Sequence, residues 1–254
     1  MSDSRDHRVL IPIAVLEGEA VPETIIDAFA SIPVVLLGYR DIPDQTGPDQ
    51  AREQYGDRAR AELEELQTVF EDAGCDVTSR LAFTHDPLET FERVAVEDAC
   101  DAVLVLNPAP VLETVLVALR GDVNVEYIAR LLATVLTGTT LELTLFHVAA
   151  DDSKRAAGTE LLETARSELL DAGVDADRID STVVVDNSPT EAIVEASADH
   201  DLLVAGESRP SIRRAIFRDR AKRLARRTVD PVLVIRGEYL ESAPDGETEP
   251  NEGG

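Results

Sequence analysis

Lysine is nearly absent from this chain. Of its 24 basic residues only Lys154 and Lys222 are lysines, whereas Asp and Glu together number 50, so the formal net charge is −26. This charge excludes general binding to nucleic acid or to an anionic membrane surface, because the long-range field repels phosphate. An acid-rich, lysine-poor chain of ordinary hydrophobic content is typical of salt-loving microbes, where high ionic strength screens the repulsion. We expect a halophilic, archaeal source; an acidic mesophilic protein is the alternative.

Cysteine and histidine are also scarce. Cys75 and Cys100 stand alone, without a CxxC motif, so we expect small buried apolar residues rather than a disulfide or a metal site. The histidines fall in separate segments without HxH or HxxxH spacing, so metal binding is not expected. His147, at the end of a predicted strand, is interpreted as structural. The four histidines are His7, His85, His147 and His200.

Long apolar runs and recognisable catalytic motifs are missing. No run reaches the ~18 apolar residues of a membrane span. The first ten residues, MSDSRDHRVL, lack the apolar core of a signal peptide. The sequence contains no GxSxG, no P-loop and no obvious pair of catalytic carboxylates. We therefore expect a cytoplasmic protein that is not inserted in a membrane and is not an enzyme.

What the chain does contain is an alternation of apolar strands and amphipathic helices. Runs such as VLIPIAV at Val9 to Val15 predict strands covered on both faces. The alternation predicts an α/β fold with right-handed βαβ units and a mainly parallel sheet. The same succession of strands and helices then starts again in the second half of the chain. The tripeptide DAG occurs at 72–74 and again at 171–173, and Asp101 and Asp201 each precede a strand, which indicates an internal duplication.

The two copies differ in length. After Asp201 the second copy continues through a turn at Gly206, a basic helix that opens near Ser211 and a last strand, Pro231 to Ile235. The first copy has only NPAPVLE beyond its strand before the next unit begins. We predict a truncated unit over residues 1–110, a complete unit over 111–238 and a disordered acidic tail over 239–254.

Four stretches of the second copy resemble the universal stress protein family. They are the strand TVLVAL, the strand end LTLFHV, the helix SPTEAIVEAS with DLLVAG after it, and the ending TVDPVLVIR. The resemblance covers 114–236 fully and 7–107 in shortened form. It implies a UspA-like, flavodoxin-like α/β fold of the adenine nucleotide alpha hydrolase type, with parallel sheets in two tandem units, the first truncated. It also implies a binding or regulatory role in stress response, with ATP or another adenine nucleotide as the candidate ligand.

The phosphate-binding motif of that family is degenerate in this chain. In nucleotide-binding members a turn of the form G-x2-G-x9-G-[ST] holds the phosphates, and an Asp ending the first strand holds the adenine side. Gly206 matches the first glycine, but Arg209 stands at the second and Asp219-Arg220 at the last pair. The Asp position is Ala14 in the first copy and Arg120 in the second. An arginine at the second position obstructs the close backbone approach that a glycine allows.

Nine basic residues crowd into the positions 209–227, directly after this turn. A turn that follows a buried strand and opens a helix presents free N–H groups and the positive end of the helix dipole, and arginine suits bidentate contact with phosphate. One hypothesis is a phosphate or nucleotide clamp; another is a docking surface for an acidic partner, the chain's own tail included. A third is a solvated helix face whose arginines pair weakly with nearby carboxylates. The clamp would consist of Arg120, Gly206, Ser208, Arg209, Ser211, Arg213 and Arg214.

The final strand, Val232 to Ile235, is expected at a sheet edge, where an apolar strand can pair with a second copy of itself. We therefore expect a homodimer through residues 231–236. The alternative is that the shortened first unit covers that edge within one chain. Two other function classes stay open. One is an accessory regulatory subunit that docks an acidic partner or a transporter without binding nucleotide, and the other is an enzyme acting on a nucleotide.

Overall fold

The apolar runs form the strands of a single sheet in the computed structural model, which describes residues 7–19, 21–106, 112–119, 125–137, 139–206 and 231–236. Within these ranges the strands are β1 (Val9–Ala14), β2 (Val34–Asp41), β3 (Val77–Thr84), β4 (Ala102–Val105), β5 (Thr114–Leu119), β6 (Glu142–Ala149), β7 (Ile179–Val185), β8 (Leu202–Gly206) and β9 (Val232–Ile235). The α-helices in the same ranges are α1 (Glu23–Phe29), α2 (Pro48–Asp72), α3 (Pro87–Glu97), α4 (Val125–Leu136), α5 (Arg155–Asp171) and α6 (Pro189–Ala196).

The sheet is covered on both faces, as the continuous apolar runs require. Successive strand residues point to opposite faces, so Val9, Ile11 and Ile13 of β1 join one core while Leu10 joins the other. Helices α1, α2, α4 and α5 contribute to the first core, and α3 and α6 contribute to the second. The protein is therefore a three-layer α/β structure in its described part.

The strand order is β3-β2-β1-β4-β9-β8-β5-β6-β7. Every pair of neighbouring strands is parallel except β4 and β9, which are antiparallel. Read outward from β9, the first half has the order β4-β1-β2-β3 and the second half the matching order β8-β5-β6-β7. The α/β fold with a predominantly parallel sheet, predicted from the alternation of strands and helices, is confirmed.

The expected edge position of the final strand is wrong. β9 pairs in parallel with β8, with Leu203 opposite Val232, and antiparallel with β4, with Val105 opposite Val232. Both sides of β9 are therefore hydrogen-bonded within one chain, and residues 231–236 offer no free edge for the expected homodimer. The alternative, in which the first unit covers that edge, is the arrangement observed. An apolar strand buried on both faces gives no indication of which strands lie beside it.

The long helix ends the same way in both halves. Gly74 follows α2 and Gly173 follows α5 in left-handed conformations, with φ of +93° and +92°. The next N–H in each case donates back to the last helical turn, from Cys75 to the Phe70 carbonyl and from Val174 to the Leu169 carbonyl, both at 3.0 Å. This is the hydrogen-bonded glycine cap that ends many helices. The two DAG tripeptides identified in the sequence are these caps.

The two aspartates that precede β4 and β8 also have matching contacts. The Asp101 carboxylate accepts from the Arg8 N–H at 3.0 Å, at the start of β1. The Asp201 carboxylate accepts from the Glu113 and Thr114 N–H groups at 2.9 and 2.8 Å, at the start of β5. Each aspartate therefore connects two adjacent strand beginnings. The domain boundaries at 110 and 238 stay predictions, and the acidic tail lies outside the described residues.

The first half of β7 is polar. Asp180, Ser181 and Thr182 are exposed, although the strand runs from Ile179 to Val185. β7 lies at the edge of the sheet, so these side chains face solvent and show no apolar run. The basic helix predicted from Ser211 lies outside the described residues.

Both cysteines are buried and free, as predicted. Burial raises the pKa of the Cys100 thiol to about 12, and burial likewise raises the pKa of Cys75. The thiols are therefore protonated and unreactive near neutral pH. In the described part of the chain, no helix combines the length and apolarity needed to cross a bilayer.

Candidate functional site

The fold has two places where the direction of chain progression along the sheet reverses. In the first half this point lies between β1 and β4, and in the second half between β5 and β8. In open parallel sheets, ligands bind in the crevice outside the carboxyl ends of the strands at such a reversal. We call the crevice at the ends of β1 and β4 the first crevice, and the one at the ends of β5 and β8 the second crevice.

Of the predicted clamp residues, the described structure contains only Gly206. Gly206 is the last residue of β8, and its neighbour Ala205 lies opposite Ala118 of β5. The glycine therefore stands at the mouth of the second crevice, next to the end of β5. The remaining predicted residues lie outside the described ranges, so the structure does not test whether they converge there; they are Arg120, Ser208, Arg209, Ser211, Arg213 and Arg214.

His147 lies beside the second crevice, at the end of β6. It is the register partner of Leu119, the last residue of β5, and its Nδ1 lies 2.9 Å from the Leu119 carbonyl oxygen. Because a carbonyl can only accept, Nδ1 carries the proton and donates. The backbone contact therefore fixes the ring in one orientation and assigns the proton.

The other side of the His147 ring packs against Gly158 of α5. A Cβ at position 158 would lie 2.5 Å from the ring Cδ2, closer than real carbon contacts allow. A cavity of about 510 Å³ opens next to this pair and is also lined by Lys154, Glu160 and Thr164. His147 is thus structural, as the sequence indicated, but it also borders the candidate site, which the sequence alone did not reveal.

The first crevice contains two carboxylates of the chain itself. Glu62 of α2 accepts from the Leu16 N–H with both carboxylate oxygens, each at 3.0 Å. Glu19, in the loop after β1, accepts from the Ala14 N–H at 2.5 Å. Sequence reasoning identified Ala14 as the replacement of a family aspartate but missed both glutamates, because no sequence motif marks a carboxylate that reaches a backbone N–H across the fold.

A larger cavity, of about 710 Å³, lies away from both crevices, and its lining includes His7, Asp76 and the outer side of α4. The polar groups that α4 supplies are already used locally. The Thr134 hydroxyl donates to the Arg130 carbonyl, and the Arg130 guanidinium pairs with Glu126 at 3.4 Å. We therefore assign no ligand to this cavity.

Comparison with known proteins identifies structures that share the fold. No protein-family model matches the chain, and no curated protein matches it significantly. A universal stress protein from Archaeoglobus fulgidus DSM 4304 is similar in structure, with 14% sequence identity, coverage of 91% of this chain and 96% of that chain, and a TM-score of 0.56. The cytoplasmic domain of a prokaryotic cation chloride cotransporter is similar too, with 14% identity, coverage of 92% and 96%, and a TM-score of 0.54. The chain therefore has the fold of universal stress proteins.

Proposed function

We propose that the protein is a regulatory protein of the universal stress protein type, which acts by binding a small anionic ligand in the second crevice. The observation that carries this proposal is the position of Gly206 at the strand-order reversal between β5 and β8. The nine basic residues of positions 209–227 follow it directly in the sequence. This segment is the most cationic stretch of a strongly acidic chain, and we propose that it supplies the contacts to the anion.

The ligand class that fits is an adenine nucleotide, with its phosphates toward the basic segment. The usual pose is not expected, because Arg209 and Asp219-Arg220 replace the motif residues through which backbone approaches phosphate. Arginine side chains would replace those backbone contacts, since a guanidinium makes two parallel hydrogen bonds to phosphate. We propose binding without catalysis, in the cytoplasm of a halophile, by a tandem chain with a truncated first unit.

Isothermal titration calorimetry with AMP and ATP, in high potassium chloride, tests this proposal. We expect saturable heat of binding. Arg209→Ala and Arg213→Ala should each lower the affinity by about tenfold, because each removes a charge-assisted hydrogen bond. Arg58→Ala, which removes an exposed arginine of α2, is the control and should bind as the wild type does. Absence of heat with every nucleotide would contradict the proposal, and product formed from ATP would contradict binding without catalysis.

A second candidate is an accessory regulatory subunit that docks an acidic partner or a transporter. Its support is the shared fold with the cotransporter cytoplasmic domain over nearly the whole chain. The probe is a synthetic peptide of residues 241–254, an acidic segment of this chain. Saturable binding of the peptide that is lost in the Arg223→Ala and Arg226→Ala double variant, with no response to nucleotide, would favour this candidate over the first.

A further inference from the structure

We propose that the first crevice is an anion cradle closed by the chain's own carboxylates, so that it takes no external phosphate. Glu62 and Glu19 act there as internal ligands in the place of a bound anion. The proposal concerns the first unit alone. It does not depend on the proposed function of the second crevice, and either can fail while the other holds.

One backbone N–H group at the end of β1, that of Ala14, points toward the first crevice. The N–H groups of Val9 and Val15 donate to Pro33 and Tyr39 on the β2 side. Since successive residues of a strand point their N–H groups to opposite sides, the N–H of Ala14 points the other way, toward β4. The pairing of β1 with β4 covers only Val9 and Leu10. The described pairing with β4 ends at Leu10 and Pro12 has no N–H, so the Ala14 N–H is the β1 donor left on this side.

The turn after β1 adds a second donor to the first. Leu16 adopts a left-handed conformation with φ of +68°, which is uncommon for a residue with a branched side chain. Its N–H is the group that both oxygens of Glu62 share. Two outward-pointing N–H groups, of Ala14 and Leu16, therefore form a small anion-binding concavity of the kind that backbone turns provide for phosphate. Carboxylates already fill it.

The second unit lacks the equivalent of Glu62. Positions 99 residues apart correspond between the long helices: Leu63 and Leu162 are both buried, as are Phe70 and Leu169. At this offset Leu161 stands where Glu62 does, and it is a partly buried side chain packed against the core. A leucine cannot accept from a backbone N–H. In the described part of the second unit, position 161 therefore supplies no carboxylate to match Glu62.

The test is a titration of the uniformly ¹⁵N-labelled full-length chain with inorganic phosphate, followed at the Ala14 and Leu16 amide resonances. In the wild type these resonances should not move. In a Glu19→Ala, Glu62→Leu double variant, which gives position 62 the residue of the second unit, both should shift saturably. The control is Glu65→Leu, which replaces an exposed glutamate of the same helix and should behave as the wild type.

Should the double variant fail to fold, Glu62→Gln keeps the size of the side chain and removes its charge. In that variant phosphate should shift the Leu16 amide resonance saturably, whereas the wild-type resonance stays unmoved over the same range of phosphate concentration. Unmoved amides in a folded double variant would overturn the proposal, because the cradle would then have no affinity for an anion. Shifts of equal size and midpoint in wild type and variants would overturn it too, because the carboxylates would then not keep phosphate from the Ala14 and Leu16 N–H groups.

Discussion

At the scale of single residues, carboxylates accept hydrogen bonds from backbone N–H groups at the ends of strands. Asp201 joins the beginnings of β5 and β8, and Glu62 closes the turn after β1. Both carboxylates accept from main-chain donors that the sheet leaves over, and a buried donor without a partner is costly. These two carboxylates therefore stabilise the fold.

Asp201→Asn should destabilise the protein in a pH-dependent way. Burial acts to raise the pKa of Asp201, but hydrogen bonds from the Glu113 and Thr114 N–H groups and the Thr114 hydroxyl hold the pKa below its ordinary value of 3.8. A lowered folded-state pKa contributes stability above the unfolded-state pKa, and this contribution is lost as the pH falls below it. We expect a loss of about 1–2 kcal/mol at neutral pH.

Chemical unfolding at pH 7 and below pH 4, in high salt, measures this effect. The difference between wild type and variant should shrink on the acid side, where the wild-type carboxyl takes up its proton. Asp199→Asn, at an exposed neighbour, should leave stability unchanged. A gap of constant size at both pH values would be inconsistent with a role for the charge of Asp201.

Gly158→Ala should destabilise α5 although alanine favours helices. The added Cβ would meet the His147 ring at 2.5 Å and the Val183 Cγ1 at 3.2 Å, and the ring is held by the Leu119 carbonyl. We expect a net loss of about 1–2 kcal/mol, because overpacking outweighs the gain in helix propensity. His147→Ala in the same chain should recover part of the loss.

Gly56→Ala is the matched substitution in α2. There the added Cβ would meet only the Arg52 Cγ at 3.4 Å, an ordinary contact, so we expect a gain of about 0.5–1 kcal/mol. Thermal or urea unfolding of the two variants compares the signs directly. If both substitutions stabilise the protein, the close packing of His147 on Gly158 is not rigid.

At the scale of elements, two arginines of α5 hydrogen-bond to backbone carbonyls in the edge strand β7 and just before it. The Arg155 guanidinium donates to the Val183 carbonyl at 3.0 Å, and the Arg166 guanidinium donates to the Ile179 and Ala176 carbonyls. An uncovered edge strand is a template for pairing with another chain. These contacts therefore protect one end of the sheet.

Removal of both side chains, Arg155→Ala with Arg166→Ala, should make the protein self-associate through β7. The change also makes an acidic chain more negative, which by itself opposes association. The control must therefore remove the same charge elsewhere, as Arg52→Ala with Arg58→Ala does on α2. Light scattering after size-exclusion chromatography should show larger species only for the β7 variant, in proportion to concentration. A β7 variant as monodisperse as the control would mean that these arginines do not guard the edge.

Most elements could be predicted from sequence because their pattern is local. The continuous apolar run of β1 predicts a buried strand, and the DAG tripeptides predict the ends of α2 and α5. Contacts between distant segments could not be predicted in this way. Glu62 reaches Leu16 only once α2 packs on the sheet, and the polar first half of β7 reflects its place at the edge of the described sheet. Of the predicted clamp, Gly206 alone could be compared with the described structure.

At the scale of the whole molecule, one strand joins the two halves. β9 continues the second half in parallel and meets the first half antiparallel, so β4 of the first half gains a neighbour from the second half of the chain. The buried residues Leu233 and Ile235 join a core cluster that contains residues of both halves. β9 also gives β8 its second neighbour, and Gly206 at the end of β8 lies at the second crevice.

Amide hydrogen exchange along β9 tests this central arrangement most directly. The Arg236 N–H donates to the Asp101 carbonyl at 2.7 Å on the β4 side, whereas the Pro231 carbonyl accepts from the Leu203 N–H at 3.0 Å on the β8 side. Successive residues thus face opposite neighbours, and the account predicts slow exchange at every amide from Val232 to Arg236. Slow exchange at Leu233 and Ile235 alone, with Val234 and Arg236 exchanging as rapidly as unprotected amides, would place β9 at an edge and contradict the account.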